Sequence, residues 1–301
     1  MKTIAVIGAS GFIGKNLLNY LEDGGFEAES LSLRNDSWRN DLGKPYRGII
    51  NLVGKAHDHK GTATQDDYNY VNVELIKQIF NAFVESDANL LIHVSSLAAL
   101  EEFESSNPLK ESDPCHPVSL YGKSKREAEE WLLAQKLPAN KKLIIVRPPM
   151  VHGPGDKGNL GLLYKLISKG IPYPLSSFEN NRSFISIENF SFFIQQIIES
   201  QEKIDSGIYH VSDDEPVSTK EIIEIIKKVT GKNTPDIALP KFFVNGIAKV
   251  GDFIPIPLNS KRLKKMTGDL LVSNTKIKQA LGIDQLPLTA KEGLEKTIRS
   301  F

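Results

Sequence analysis

Residues 3–14 read TIAVIGASGFIG, a short strand-like run (TIAVI, 3–7) followed by glycines at positions 8, 11 and 14. From Phe12 to Tyr20 the spacing turns helical, and Gly24 and Gly25 give a helix stop. The glycines therefore sit in a strand-to-helix turn. Gly8 suits the tight turn. Gly11 lets the backbone approach an anion at the helix start, where N–H groups and the helix dipole favour negative charge. In this context the turn points to the pyrophosphate of a dinucleotide.

The same alternation continues outward. Strand-like runs recur at 28–33, 48–53 (GIINLV), 90–95 (LLIHVS) and 142–146 (KLIIV). Helical patterns lie between them. Val71, Leu75, Ile79 and Phe83 recur every four residues, which places them on one helix face, and a second helix is expected over 119–135. Short apolar strands separated by helices imply an α/β fold, a Rossmann-type doubly wound parallel sheet covered on both faces.

After residue 147 the pattern changes. PPMVHGPGDKGN reads as a loop, 161–169 as a helix, IPYPL as a Pro-broken segment and RSFISI as a strand; FSFFIQQIIES reads as a helix and GIYHVS as a short strand. Ser218 with Glu221, and Thr289 with Glu292, have capping-box spacing ahead of helical runs. The expected division is a nucleotide-binding domain over 1–150, with 184–212 contributing, and a smaller, mainly helical substrate lobe from 151–183 and 213–301.

Composition narrows the function. The 301 residues carry 37 basic and 37 acidic side chains, so the net charge is zero and there is no electrostatic footprint for nucleic acid. Apolar residues make up 40% and charged residues 25%, which fits a globular chain and not a disordered one. The single Cys115 rules out an internal disulfide framework and suits a reducing compartment. MKT runs directly into a strand, without the apolar segment of a signal peptide, and no apolar run is long enough to span a membrane; a cytoplasmic location is expected. His57, Asp58 and His59 lack a third ligand at useful spacing, so no metal is expected. FFVNGIAKVGDFIPIPL (242–258) is apolar enough to touch a lipid-linked substrate, but Lys249, Asp252 and helix-breaking residues interrupt it, and it reads as a lid or core helix.

YGKSK places Tyr121 and Lys125 four residues apart, on one helix face; of eight tyrosines only Tyr121 has a lysine at that distance. The G-x-x-G-x-x-G turn together with Y-x-x-x-K resembles the extended branch of the short-chain dehydrogenase/reductase superfamily, and within it the NAD-dependent epimerase/dehydratase family. The resemblance spans essentially the whole chain. It implies a third catalytic hydroxyl: LIHVSSLAAL is similar to the family's SS-x-x-V-Y-G, whose second serine maps onto Ser96, while Ser95 would satisfy local backbone groups. Leu100 departs from that pattern. INLVGKAHD resembles the family's third-strand end and places Leu52, Val53 and Gly54 beside the cofactor. VNVE puts Asn72 at the family asparagine. RPPMVHGPG resembles the loop that holds the nicotinamide end, implicating Pro148 and Val151, with His152 in place of a tyrosine. NNRSFISIENF resembles the segment whose arginine grips a nucleotide-sugar diphosphate, here Arg182. KGNLGLLYKLISKGIPYPL is similar to the branch of sugar-nucleotide 4-epimerases and 4-ketoreductases, and adds Asn159 to the substrate contacts. Ser10, Phe12 and Ile13 join the three glycines as cofactor contacts, and Asp41 and Leu42 resemble the adenine-contacting pair.

At the second strand end, Ser32 and Leu33 stand where an acid would mark NAD, and Arg34 follows. Its planar fork suits a 2′-phosphate. Asp36 is near enough to serve NAD. The expected cofactor is NAD or NADP, with Arg34 favouring NADP. The implied function is hydride transfer at C4 of a nucleotide-linked sugar, first as a UDP-sugar 4-epimerase in polysaccharide biosynthesis, alternatively as a UDP-4-keto-6-deoxy-sugar 4-reductase. A non-catalytic NADP-binding redox sensor on the same fold would have no need of Ser96, Tyr121 and Lys125 together. A dehydratase is disfavoured because Ser96, Leu97 and Ala98 replace the T-D-E of that branch. Relatives pair through a four-helix interface, so a homodimer through the 65–86 and 119–135 helices is expected.

Overall fold

The computed structural model describes residues 3–35, 37–56, 62–105, 107–156, 158–175, 177–232, 234–235, 237–254 and 259–301, without the side chains of Asn159 and Arg262. Asp36 and the His57–Asp58–His59 group lie outside the described residues.

Eight strands and twelve α-helices follow one another as β1 (Ile4–Ile7), α1 (Phe12–Asp23), β2 (Ala28–Leu31), α2 (Trp38–Asp41), β3 (Gly48–Asn51), α3 (Gln65–Asn69), α4 (Leu75–Glu85), β4 (Leu90–Val94), α5 (Leu120–Leu133), β5 (Lys142–Arg147), β6 (Met150–His152), α6 (Asn159–Ser168), β7 (Phe184–Ser186), α7 (Ile187–Glu199), β8 (Gly207–His210), α8 (Thr219–Thr230), α9 (Lys241–Gly251), α10 (Ser260–Thr267), α11 (Thr275–Leu281) and α12 (Ala290–Arg299) among the described residues. Six strands form one parallel sheet in the order β2-β1-β3-β4-β5-β8. The order reverses beside β1, so the crevice of this doubly wound sheet opens at the glycine turn.

The strands are apolar throughout because both faces are covered. Alternate residues feed two layers. Ile4, Val6, Ile50, Ile92, Ile144 and Val146 pack with α1, α7 and α11. Ala5, Ile7, Ile49, Leu91, Leu143 and Ile145 pack with α4 and α5. A third apolar cluster, with Leu160, Ile167, Ile226, Leu263, Leu294 and Ile298, holds a carboxy-terminal group of helices together. The α/β doubly wound architecture is thus as the sequence implies, and both capping boxes form.

Three local readings change. The PPMVHGPGDKGN loop contains β6, paired in parallel with β7, the strand expected at RSFISI; the pairing joins segments more than thirty residues apart, which no local pattern marks. Between α3 and α4 the chain makes a π-helical turn at Tyr70–Glu74. Its extra residue per turn shifts the register, so the buried face is Val73, Ile76, Ile79, Phe80 and Phe83, with Val71 and Leu75 only half-buried. Finally, α9 is no core helix: it buries only Val244 and Ala248.

Candidate active site

Parallel pairing brings the carboxy ends of β1, β3, β4 and β5 to one edge of the sheet. At β1, Gly8 adopts φ +86°, a conformation L side chains rarely accept. A Cβ there would also press on Leu52 and Val53 at 3.1 Å, and one on Gly14 would lie 2.5 Å from the Ala9 Cα. The turn and helix are therefore packed to glycine tolerance. Gly11 is the N-cap of α1, with extended backbone, no capping side chain and no acid in the first turn. A Cβ on Gly11 would meet only the Gly8 carbonyl oxygen, at 3.5 Å. Ser10 and Gly11 are exposed, and Phe12 and Ile13 half-buried. The first N–H groups of α1 thus face outward past a residue with no side chain, a cradle that fits a dinucleotide diphosphate. Asn16 Nδ2 ties the turn to the Pro154 carbonyl at 3.2 Å.

The β4 end carries the candidate chemistry. Ser96 caps the short 3-10 turn Leu97–Ala99, its hydroxyl accepting from the Ala98 N–H at 3.2 Å. The first turn of α5 packs directly on this segment: a Cβ on Gly122 would sit 2.4 Å from the Ala98 carbonyl oxygen. Glycine in YGKSK is thus the condition for Tyr121 to reach Ser96. Glu102 fixes the approach, accepting from the N–H groups of Val118 (3.1 Å) and Ser119 (2.7 Å), and the Ser119 hydroxyl caps α5. Burial pushes the Tyr121 phenol above its usual range, while a hydrogen bond from Ser96 pulls it back.

Lys125 is buried and donates to the Val94 carbonyl at 3.0 Å. Burial lowers its ammonium to about 8. A Cβ on Gly54 would meet the Lys125 Nζ at 3.0 Å, so the β3 end closes over the lysine. The π-helical turn aims Asn72 at the same place. Its Nδ2 donates to Ser124 Oγ (2.8 Å) and the Lys55 carbonyl, and its Oδ1 accepts from the Lys55 N–H (2.8 Å). His93 lies beneath, neutral: burial first and the Lys125 charge second hold it well below its ordinary value. Asn51 Nδ2 donates to its Nδ1 at 3.1 Å, which leaves the proton on Nε2.

Ser95 does not serve local backbone acceptors. Its hydroxyl donates to Glu129 Oε1 at 2.6 Å, and Arg147 reaches the same carboxylate through Nε (2.8 Å) and Nη2 (2.5 Å). Both charged side chains have no exposure. Removing one partner of such a pair costs about 3–5 kcal/mol, because the other charge is left buried and unpaired. The cluster clamps β4, β5 and α5 together immediately behind Ser96. Sequence reading missed Glu102, Glu129, Arg147 and His93. Glu129 had a signal, standing four residues after Lys125 and eight after Tyr121 on the buried stripe of α5.

Other expected residues scatter. Arg34 is exposed beyond the end of β2, its N–H 3.4 Å from Ser32 Oγ. Asp41 accepts from the Ser37 hydroxyl. Leu42 is 1% exposed, in the core layer against the sheet. Leu52 and Val53 are half-buried and Gly54 exposed at the β3 end. Pro148 is buried, its carbonyl accepting from the Leu97 N–H, and Val151 packs on the first core layer. Arg182 pairs with neither Glu179 nor Glu188; its Nη1 donates to the carbonyls of Phe103 (3.3 Å) and Gly268 (2.8 Å). The Asn159 side chain lies outside the described residues. His152 is buried, bonded to Thr297, and held by burial at about 4, so it is neutral.

A model of the NAD dependent epimerase/dehydratase family matches residues 4–212. The UDP-glucose 4-epimerase of Vibrio cholerae is 28% identical, covering 100% of this chain and 95% of that protein. The N-acetyl-alpha-D-glucosaminyl-diphospho-ditrans,octacis-undecaprenol 4-epimerase of Escherichia coli O157:H7 is 24% identical over 98% of this chain and 94% of its own. Among solved structures, the UDP-glucose 4-epimerase of Thermotoga maritima with UDP-glucose superposes with a TM-score of 0.77, at 17% identity, covering 99% of this chain and 98% of that one.

Proposed function

We propose a function from the premise that the chain belongs to the NAD dependent epimerase/dehydratase family: it transfers hydride at C4 of a nucleotide-linked sugar, as a UDP-sugar 4-epimerase serving polysaccharide biosynthesis. The observation that supports this reading is the meeting of Ser96, Tyr121 and Lys125 at the end of β4, beside a glycine turn whose helix start has no side-chain cap.

The first turn of α1, from Ser10 to Gly14, would hold the dinucleotide diphosphate, and Leu52, Val53, Gly54, Pro148 and Val151 would line its nicotinamide half. When bound, the nicotinamide supplies a hydride acceptor that can return what it takes. The Tyr121 oxygen receives the proton of the sugar 4-hydroxyl. Ser96 donates to the same sugar oxygen and sets its angle to the ring. The charged form of Lys125, one helical turn along α5, would favour the phenolate against the burial that raises Tyr121. Epimerisation reverses these transfers on the other face of the 4-keto sugar.

Arg182 would hold the substrate diphosphate. A guanidinium carries five donors, and Nη1 accounts for the two carbonyl bonds. Arg182→Ala should raise the substrate KM about tenfold, roughly 1.4 kcal/mol. It should also lower Tm, because the Phe103 and Gly268 loops lose their shared donor. A lower Tm with unchanged KM would remove Arg182 from the substrate site.

Arg34 favours a second reading, a UDP-4-keto-6-deoxy-sugar 4-reductase that consumes NADPH. One experiment separates the two: purified protein is given UDP-sugars and cofactor, products are followed by NMR, and reduced cofactor by absorbance. Interconversion of C4 epimers without net cofactor change supports the epimerase. Stoichiometric loss of NADPH with a 4-keto sugar supports the reductase. No reaction with either substrate class overturns both.

A further inference from the structure

Outside the sheet edge, the most unusual surface is α9 and the turn after it. Phe242 is 79% exposed and Phe253 91%, with Phe243, Val250 and Ile254 at least half exposed. At helical spacing Phe243, Gly246, Ile247 and Val250 form one stripe, some 120° around the helix from the buried pair Val244 and Ala248. The helix has two apolar faces, and the chain covers only one. A contiguous exposed patch of this kind marks an interaction surface, since scattered apolar residues are ordinary but clustered ones are not.

The segment that carries it is strongly basic. Residues 241–265 contain six basic residues and one acid, in a chain of zero net charge. That acid, Asp252, is engaged within the fold: its carboxylate accepts from the N–H (2.9 Å) and the hydroxyl (2.6 Å) of Ser260 at the start of α10, which packs against α9. Lys264 pairs with Glu104 at 2.9 Å. Lys241, Lys249, Lys261 and Lys265 are exposed.

We infer that the α9–α10 surface docks on an anionic lipid bilayer, with Phe242, Phe243, Val250, Phe253 and Ile254 entering the interfacial region and the lysines contacting headgroup phosphates. Phenylalanines beside lysines on a short amphipathic helix are the chemistry of interfacial binding. A second copy of the chain is disfavoured as occupant, because a symmetric contact would bring two like-charged clusters together. A nucleic acid is disfavoured because the chain carries no net positive charge. The inference does not rest on the substrate assigned above.

The test is co-sedimentation of the whole protein with phosphatidylcholine vesicles, with and without about 30% phosphatidylglycerol. The wild type should pellet with the anionic vesicles at low salt, at least about tenfold more than with neutral ones, and salt should release it. Phe242→Ser/Phe253→Ser should lower anionic-vesicle binding about tenfold. Lys249→Glu/Lys265→Glu should abolish the preference for phosphatidylglycerol. Unchanged thermal unfolding and dinucleotide binding show that each variant is folded. The inference is overturned if the wild type does not pellet, if the variants pellet like the wild type, or if light scattering reveals a dimer that the phenylalanine variant dissolves.

Discussion

The amino ends of α1 and of α8 and α12 are built on opposite plans. α8 and α12 open with Ser218–Glu221 and Thr289–Glu292 capping boxes, in which hydroxyl and carboxylate satisfy the first backbone donors reciprocally. α1 opens on Gly11, with no capping side chain and no acid in its first turn. At α8 and α12 the chain meets its own polar needs. At the sheet edge it leaves donors for something else. The difference separates residues whose loss should change binding and rate from residues whose loss should change stability.

The contrast is broken hardest at Tyr121. Tyr121→Phe keeps the ring and removes the proton carrier, so turnover should fall about a hundredfold or more while Tm and cofactor binding hold. Turnover near that of the wild type would remove Tyr121 from the chemistry. Arg34→Ala should weaken NADP(H) by about 1.5–3 kcal/mol in titration calorimetry and leave NAD(H) nearly unchanged, as expected for a charged contact to a group only one cofactor carries. Equal losses would place Arg34 outside the phosphate pocket.

Gly11→Asp sharpens the comparison directly. The extended backbone of Gly11 and the open space around its Cβ position accommodate the side chain. The carboxylate would give α1 a side-chain cap, raising Tm by the equivalent of roughly 0.5–1 kcal/mol. It would also set a negative charge where the dinucleotide diphosphate is proposed to lie, weakening cofactor binding at least about tenfold. A rise in Tm with unchanged affinity would mean that the helix start is not an anion site. The smallest effect belongs to the other plan: Thr289→Ala should cost about 1 kcal/mol in denaturant unfolding and leave KM and kcat alone.

How much of this was legible in the sequence depended on range. The glycine turn, the Tyr121–Lys125 pair and both capping boxes are read within four to seven residues, and the structure puts each on the turn or helix start expected for it. Ser96 is legible only through resemblance to a family pattern, since nothing local distinguishes it from Ser95. The structure shows what does: Ser95 is committed to Glu129, while Ser96 caps a turn at the mouth of the cleft. Arg147 carries no such local signal, because its partner Glu129 is eighteen residues away on another element.

By itself, the sequence determined the parallel sheet, the place of its crevice and the helix face that carries tyrosine and lysine. Those features follow from backbone sterics, side-chain period and local hydrogen bonding, all short-range. Tertiary structure alone decided the rest. It paired β6 with β7, turned the helix at Asn72 by inserting one π-helical turn, buried the Arg147–Glu129 clamp behind Ser96, and tied Arg182 to the Phe103 and Gly268 carbonyls. It also left one apolar face of α9 uncovered. The physical reason is the same in each case: which groups lose water depends on partners remote in the chain, and desolvation sets whether a charge, a hydroxyl or a phenylalanine is part of the core, the site or the surface.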